Sequence, residues 1–100
     1  MKLLILALTA NIAMASFGPG VKVTADKVMA GKPVSTLLGN AKLEQGDHKL
    51  LANKIEMNGE TGVVVATGEV TYEDGKTSLK DSAMKFKIDE GHWTLVKQTR

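Results

Sequence analysis

Residues 39–57 read GNAKLEQGDHKLLANKIEM, and residues 68–86 read GEVTYEDGKTSLKDSAMKF. The two runs align without a gap at a spacing of 29 residues. Gly39 falls on Gly68, Leu43 on Tyr72, Glu44 on Glu73, Gly46 on Gly75, Leu50 on Leu79, Ile55 on Met84 and Met57 on Phe86. Self-similarity at a fixed period marks a stacked architecture in which each copy is one small structural unit. An earlier partial copy, VKVTADKV over residues 21–28, aligns with residues 49–55 at a spacing of 27. His92-Trp93-Thr94-Leu95-Val96 offers the start of a fourth unit.

Each copy has the same internal layout. A short strand follows a glycine, then comes a glycine turn, then a second strand carrying Leu50 or Leu79. Five residues later the apolar phase has moved, to Ile55 and Met57 in one copy and to Met84, Phe86 and Ile88 in the other. Side chains of a strand alternate between faces. An odd step therefore sends the second set to the opposite face of a straight strand. A bend or bulge at that point keeps both sets on one side. The step recurs between Val23 and Val28, so the bend is expected in every copy.

The turns agree with this. Asp74-Gly75 and Asn58-Gly59 are hairpin dipeptides, because both positions tolerate positive φ. Gln45-Gly46-Asp47 supplies another turn, and Gly31-Lys32-Pro33 breaks the chain earlier. The expected fold is all-β. It is a short, twisted β-jelly-roll, or a solenoid-like stack of β repeats, with an open apolar interior. Such units need neighbours to bury their apolar face. The two ends would be open sheet edges that can receive another strand.

The chain has 100 residues, enough for one domain. Residues 1–15 read as an export signal. Lys2 is the basic start, residues 3–14 are nearly all apolar, and Ala13-Met14-Ala15 is a small-residue cleavage site. The apolar run falls short of the roughly 20 residues that span a bilayer. Residues 16–20, SFGPG, read as a flexible lead-in, and residues 21–100 as the β domain. Without Lys2 the chain carries 12 basic and 11 acidic residues. That near balance argues against a nucleic-acid binder. There is no cysteine, so neither a lipidated N-terminus nor a disulfide framework is expected.

The repeats resemble those of the OstA-like family, the domain of LptA, LptC and the N-terminal part of LptD. The family pattern is a Gly-Asn or Gly-Glu start, a glycine-turn hairpin, and an Ala-Asp-Lys-Ile-like strand. Here that last element is Ala25-Asp26-Lys27-Val28 and Ala52-Asn53-Lys54-Ile55. The third copy departs, with Asp81-Ser82-Ala83-Met84. The resemblance covers nearly all of residues 21–98. It implies a V-shaped β-jelly-roll in the bacterial periplasm, along whose interior lipopolysaccharide acyl chains move between inner and outer membrane. It also implies edge-to-edge stacking with LptC-like and LptD-like jelly-roll domains or with copies of the chain itself. The chain is roughly half as long as a typical member, so it holds part of a usual groove.

An apolar groove gains about 0.8 kcal/mol for each methylene it shields from water. The candidates to line it are Leu43, Leu50, Ile55, Met57, Val70, Tyr72, Leu79, Met84, Phe86 and Ile88. The same ten side chains could equally fill a closed core. Met57 and Met84 suit ligands of variable shape. Val63, Val64 and Val65 read as buried structure rather than groove, and Trp93 as a core residue or an end cover. Lys22, Lys27, Lys54, Lys85 and Lys87 are candidate rim cations for lipid phosphates, or simply solvated lysines. His48 and His92 are the only histidines, and neither has a zinc-ligand spacing. No nucleophile elbow or phosphate-cradling loop occurs. The expectation is a non-enzymatic protein with no cofactor or metal. It is a lipid carrier or bridge, or alternatively a scaffold or regulator that associates through its edges without lipid.

Overall fold

The computed structural model describes residues 17–98. The proposed export signal over residues 1–15 lies outside the described residues. Seven strands form one antiparallel sheet. They are β1 (Lys22–Thr24), β2 (Lys27–Met29), β3 (Val34–Gln45), β4 (His48–Asn58), β5 (Val63–Glu73), β6 (Ser78–Asp89) and β7 (His92–Gln98). β3 to β7 pair as a meander in chain order, and β1 and β2 both pair with the outer edge of β3. The hairpin turns fall at Gly46, at residues 59–62, at Gly75 and at Glu90-Gly91.

The strands are longer than the repeats suggest. β3 to β6 each run 11 or 12 residues, and each copy's leading glycine lies inside a strand rather than before one. Pairing is interrupted between Leu38 and Ala41 of β3, between Leu51 and Lys54 of β4, and between Thr67 and Val70 of β5. Gly39-Asn40 and Gly68-Glu69 occupy two of these bulges, all four with positive φ. Each glycine also lets a neighbouring strand approach. A Cβ on Gly39 would stand 2.7 Å from the Asp26 carboxylate, and one on Gly68 would stand 2.6 Å from the Asn53 amide. Asp26 N–H donates to the Gly39 carbonyl at 2.8 Å.

The bulges absorb the odd apolar step. Leu50 and Ile55, an odd step apart on β4, are both fully buried. They also fold the sheet. Val64 and Tyr72 would lie about 26 Å apart along a straight strand. Yet Phe86, paired with Val64, has its ring 4.7 Å from the ring of Tyr72. The sheet is bent until its inner faces meet. The first wing holds β1, residues 41–45, 48–52, 70–73 and 78–81. The second holds β2, residues 34–38, 54–58, 63–67, 83–89 and β7.

In residues 17–20, the described part of the expected lead-in, Phe17 is fully buried. A large aromatic side chain gains more by closing an apolar interior than the Gly and Pro around it lose in ordering. Val63 and Val65 differ from expectation. They are half-buried on the outward face, and only Val64 of the three is buried, as alternation requires.

Candidate functional site

The inner face is built from apolar rows that cross the sheet in register. One runs Val23, Leu43, Leu50, Tyr72, Leu79 from β1 to β6. A second runs Val28, Leu37, Ile55, Ala66, Met84. A third runs Ser35, Met57, Val64, Phe86, Leu95. The first lies on one wing and the other two on its partner, so the bend turns them toward one another.

All ten groove candidates face this interior. Leu43, Leu50, Ile55, Met57, Val70, Tyr72, Met84, Phe86 and Ile88 are buried. Leu79 is partly buried and packs against the same cluster. It stands where β6 has no outer neighbour among the described strands, since the described pairing of β7 stops at Gln98 opposite Met84.

The end of the interior near the β3–β4 turn is closed by Trp93, read from the sequence as a core residue or an end cover, with Phe17 and Gln45, which the sequence did not single out. The Phe17 carbonyl accepts from the Gln45 amide at 2.8 Å and from Gly91 N–H at 2.9 Å. The same Gln45 nitrogen reaches the Pro19 carbonyl at 2.9 Å. The Gln45 side-chain oxygen accepts from the Trp93 indole N–H at 2.8 Å. Gln45 is 5 % exposed, and these bonds satisfy both ends of its amide. Trp93 is buried at this end of the interior. Its ring stacks on His48 with centroids 4.8 Å apart, and His48 Nδ1 lies 2.8 Å from the Tyr72 hydroxyl. Burial, and then the Asp74 carboxylate, push the Tyr72 pKa above its ordinary value.

The candidate rim cations Lys22, Lys27, Lys54, Lys85 and Lys87 alternate with inward-facing residues and so project from the outer faces of the wings. Lys22 stands on the first wing and the other four on the second. His48 is taken up by the aromatic stack, and His92 is exposed at the start of β7. Among the described residues, no three His, Asp or Glu side chains converge in a way that could hold a metal ion.

Fold and interior together define a class: an all-β protein with one antiparallel sheet, bent at aligned bulges around an apolar inner face. No family model, curated protein or solved structure matches the chain.

Proposed function

We propose that this protein is a non-enzymatic, exported lipid-binding module of the OstA-like kind, a short β-jelly-roll. In this reading it holds lipopolysaccharide acyl chains against its inner face, as a carrier or bridge between the bacterial inner and outer membranes. The observation that supports it is the shared bend. It gathers the apolar positions of both repeats onto one inner face, which ends at the partly buried Leu79. The Leu79 end of that face, where the side chain is only partly buried, is the natural place for an acyl chain to enter. It is also where a second jelly-roll domain, LptC-like, LptD-like or another copy, would stack. Entry requires the wings to part there, because the interior is filled by the protein's own side chains.

A second reading is favoured by the closed end. Phe17, Gln45 and Trp93 block through-passage of a lipid. A module closed at one end suits a periplasmic scaffold or regulator that stacks through its other end and carries nothing.

One experiment separates them. The protein is exposed to photo-crosslinkable lipopolysaccharide, with Met84→Asp as the control. Saturable crosslinking that Met84→Asp abolishes supports the carrier. A folded protein that takes up no lipid leaves the scaffold or regulator.

A further inference from the structure

The outer faces of the two wings arrange charge differently. On the first, Lys22, Glu44, Lys49 and Glu73 follow one another in register across four strands, so each charge faces its opposite. On the second, Lys85 of β6 lies directly opposite Lys97 of β7. Lys87 is two residues along β6 on the same face. Like charges facing across a ladder destabilise it. Lys85, Lys87 and Lys97 form no ion pair among the described residues. The pairs there are Lys42–Glu44 at 3.9 Å and Lys54–Glu56 at 3.7 Å. On this face Glu56 is thus engaged by Lys54, and Asp89 stands at the far end of β6.

The β5 neighbours of Lys85 and Lys87 are aliphatic. Val65 lies opposite Lys85 and Val63 opposite Lys87. Val96 occupies the β7 irregularity beside Lys97 and is 54 % exposed. A shallow depression of about 380 Å³ is lined by Val65, Lys85 and Lys97 among others. A second of about 350 Å³ shares Val65 and adds Val63 and Val34.

We propose that this face docks onto a bilayer surface carrying anionic headgroups. Lys85, Lys87 and Lys97 take the headgroups, and Val63, Val65 and Val96 rest at the acyl boundary. An anion removes the repulsion that the bare sheet carries. Lysine stems lie along apolar surface while their ammonium groups reach outward. The valines favour a bilayer over a dissolved phosphate, because only a bilayer offers them an apolar phase. The inference is independent of what the interior carries.

The test uses the full chain, whose apolar residues 3–14 are expected to enter any bilayer. The readouts are therefore local and differential. The chain has no cysteine, so Val96→Cys and, on the other wing's outer face, Thr71→Cys each place one environment-sensitive label. Vesicles are phosphatidylcholine alone or mixed with phosphatidylglycerol. The label at position 96 is expected to shift blue and to be quenched by brominated lipid on the mixed vesicles, while the label at 71 stays in water. Partition into mixed relative to neutral vesicles is expected to fall roughly 30-fold in Lys85→Gln/Lys97→Gln, at about fivefold per lysine near an anionic surface. Lys22→Gln/Lys49→Gln, with the same net charge, should lower it far less. Lys85→Gln/Lys97→Gln should melt no lower than the parent, since it removes a like-charge pair. Equal falls in the two double variants, a label at 71 that enters the bilayer, or full displacement by inorganic phosphate would each overturn the proposal.

Discussion

Gln45 ties three separated parts of the chain through one amide. Its nitrogen holds the Phe17 and Pro19 carbonyls and its oxygen holds the Trp93 indole. Each buried group left without a partner costs about 1–3 kcal/mol. Gln45→Leu strips the buried indole of its partner, while the Phe17 carbonyl keeps Gly91 N–H and the exposed Pro19 turns to water, so a loss of about 1–3 kcal/mol is expected in urea unfolding. Phe17→Ala is expected to cost about 3–5 kcal/mol, as for other buried aromatics. The two changes should be less than additive, because losing either one frees the same segment. Tyr72 gives a pH signature. Its folded pKa is raised, so the unfolded state ionises first as pH rises. Its contribution is therefore fully present below the ordinary tyrosine value near 10 and is lost above it. Alkaline melts should show a falling midpoint in that window, with a shallower fall in Tyr72→Phe. Of this closure only Trp93 was legible in the sequence, as a core residue or an end cover. A Phe between Ser and Gly-Pro-Gly carries no periodicity, and a Gln before a turn looks like any polar turn residue.

At the scale of the strand, the odd apolar step was the readable signal, and its cause is now visible. Asp26 stands over Gly39, and Asn53 stands over Gly68. The Asx residue and the glycine of the next strand therefore recur as a pair, which is why both appear in each copy. The third copy has Ser82 at the equivalent position, where no described part of β7 pairs and so no described glycine of a next strand lies beside it. The strand lengths were misread for a related reason. A glycine in a strand pattern reads as a boundary, whereas here it is a bulge within one strand. Crowding and backbone strain can be told apart. Gly46 has φ +60° with open space around it, so Gly46→Ala should cost about 1–2 kcal/mol, from conformation alone. Gly68→Ala combines φ +82° with a Cβ 2.6 Å from Asn53, and should lower the denaturation midpoint further.

Across the whole molecule, the sheet has unequal ends. Beyond β3 lie two short strands, β1 and β2, while residues 78–80 of β6 pair with no described strand on their outer side. Such an edge invites pairing. Concentration-dependent association is expected by sedimentation. A monomer at high concentration would remove stacking from the functional reading. The closure at the opposite end matters in time as well as in space. Most pairings here join strands adjacent in sequence, which can zip up locally as the chain emerges. The Gln45–Trp93 bond instead spans 48 residues, and Phe17 docks only where both meet. Chains are made from the N-terminus at about 5–20 residues per second. Phe17 is thus among the first of the described side chains to emerge, and its partners are complete only when Trp93 follows. For several seconds of synthesis the nascent chain displays an unsatisfied aromatic near its leading end, a handle by which a holding chaperone could keep it unfolded.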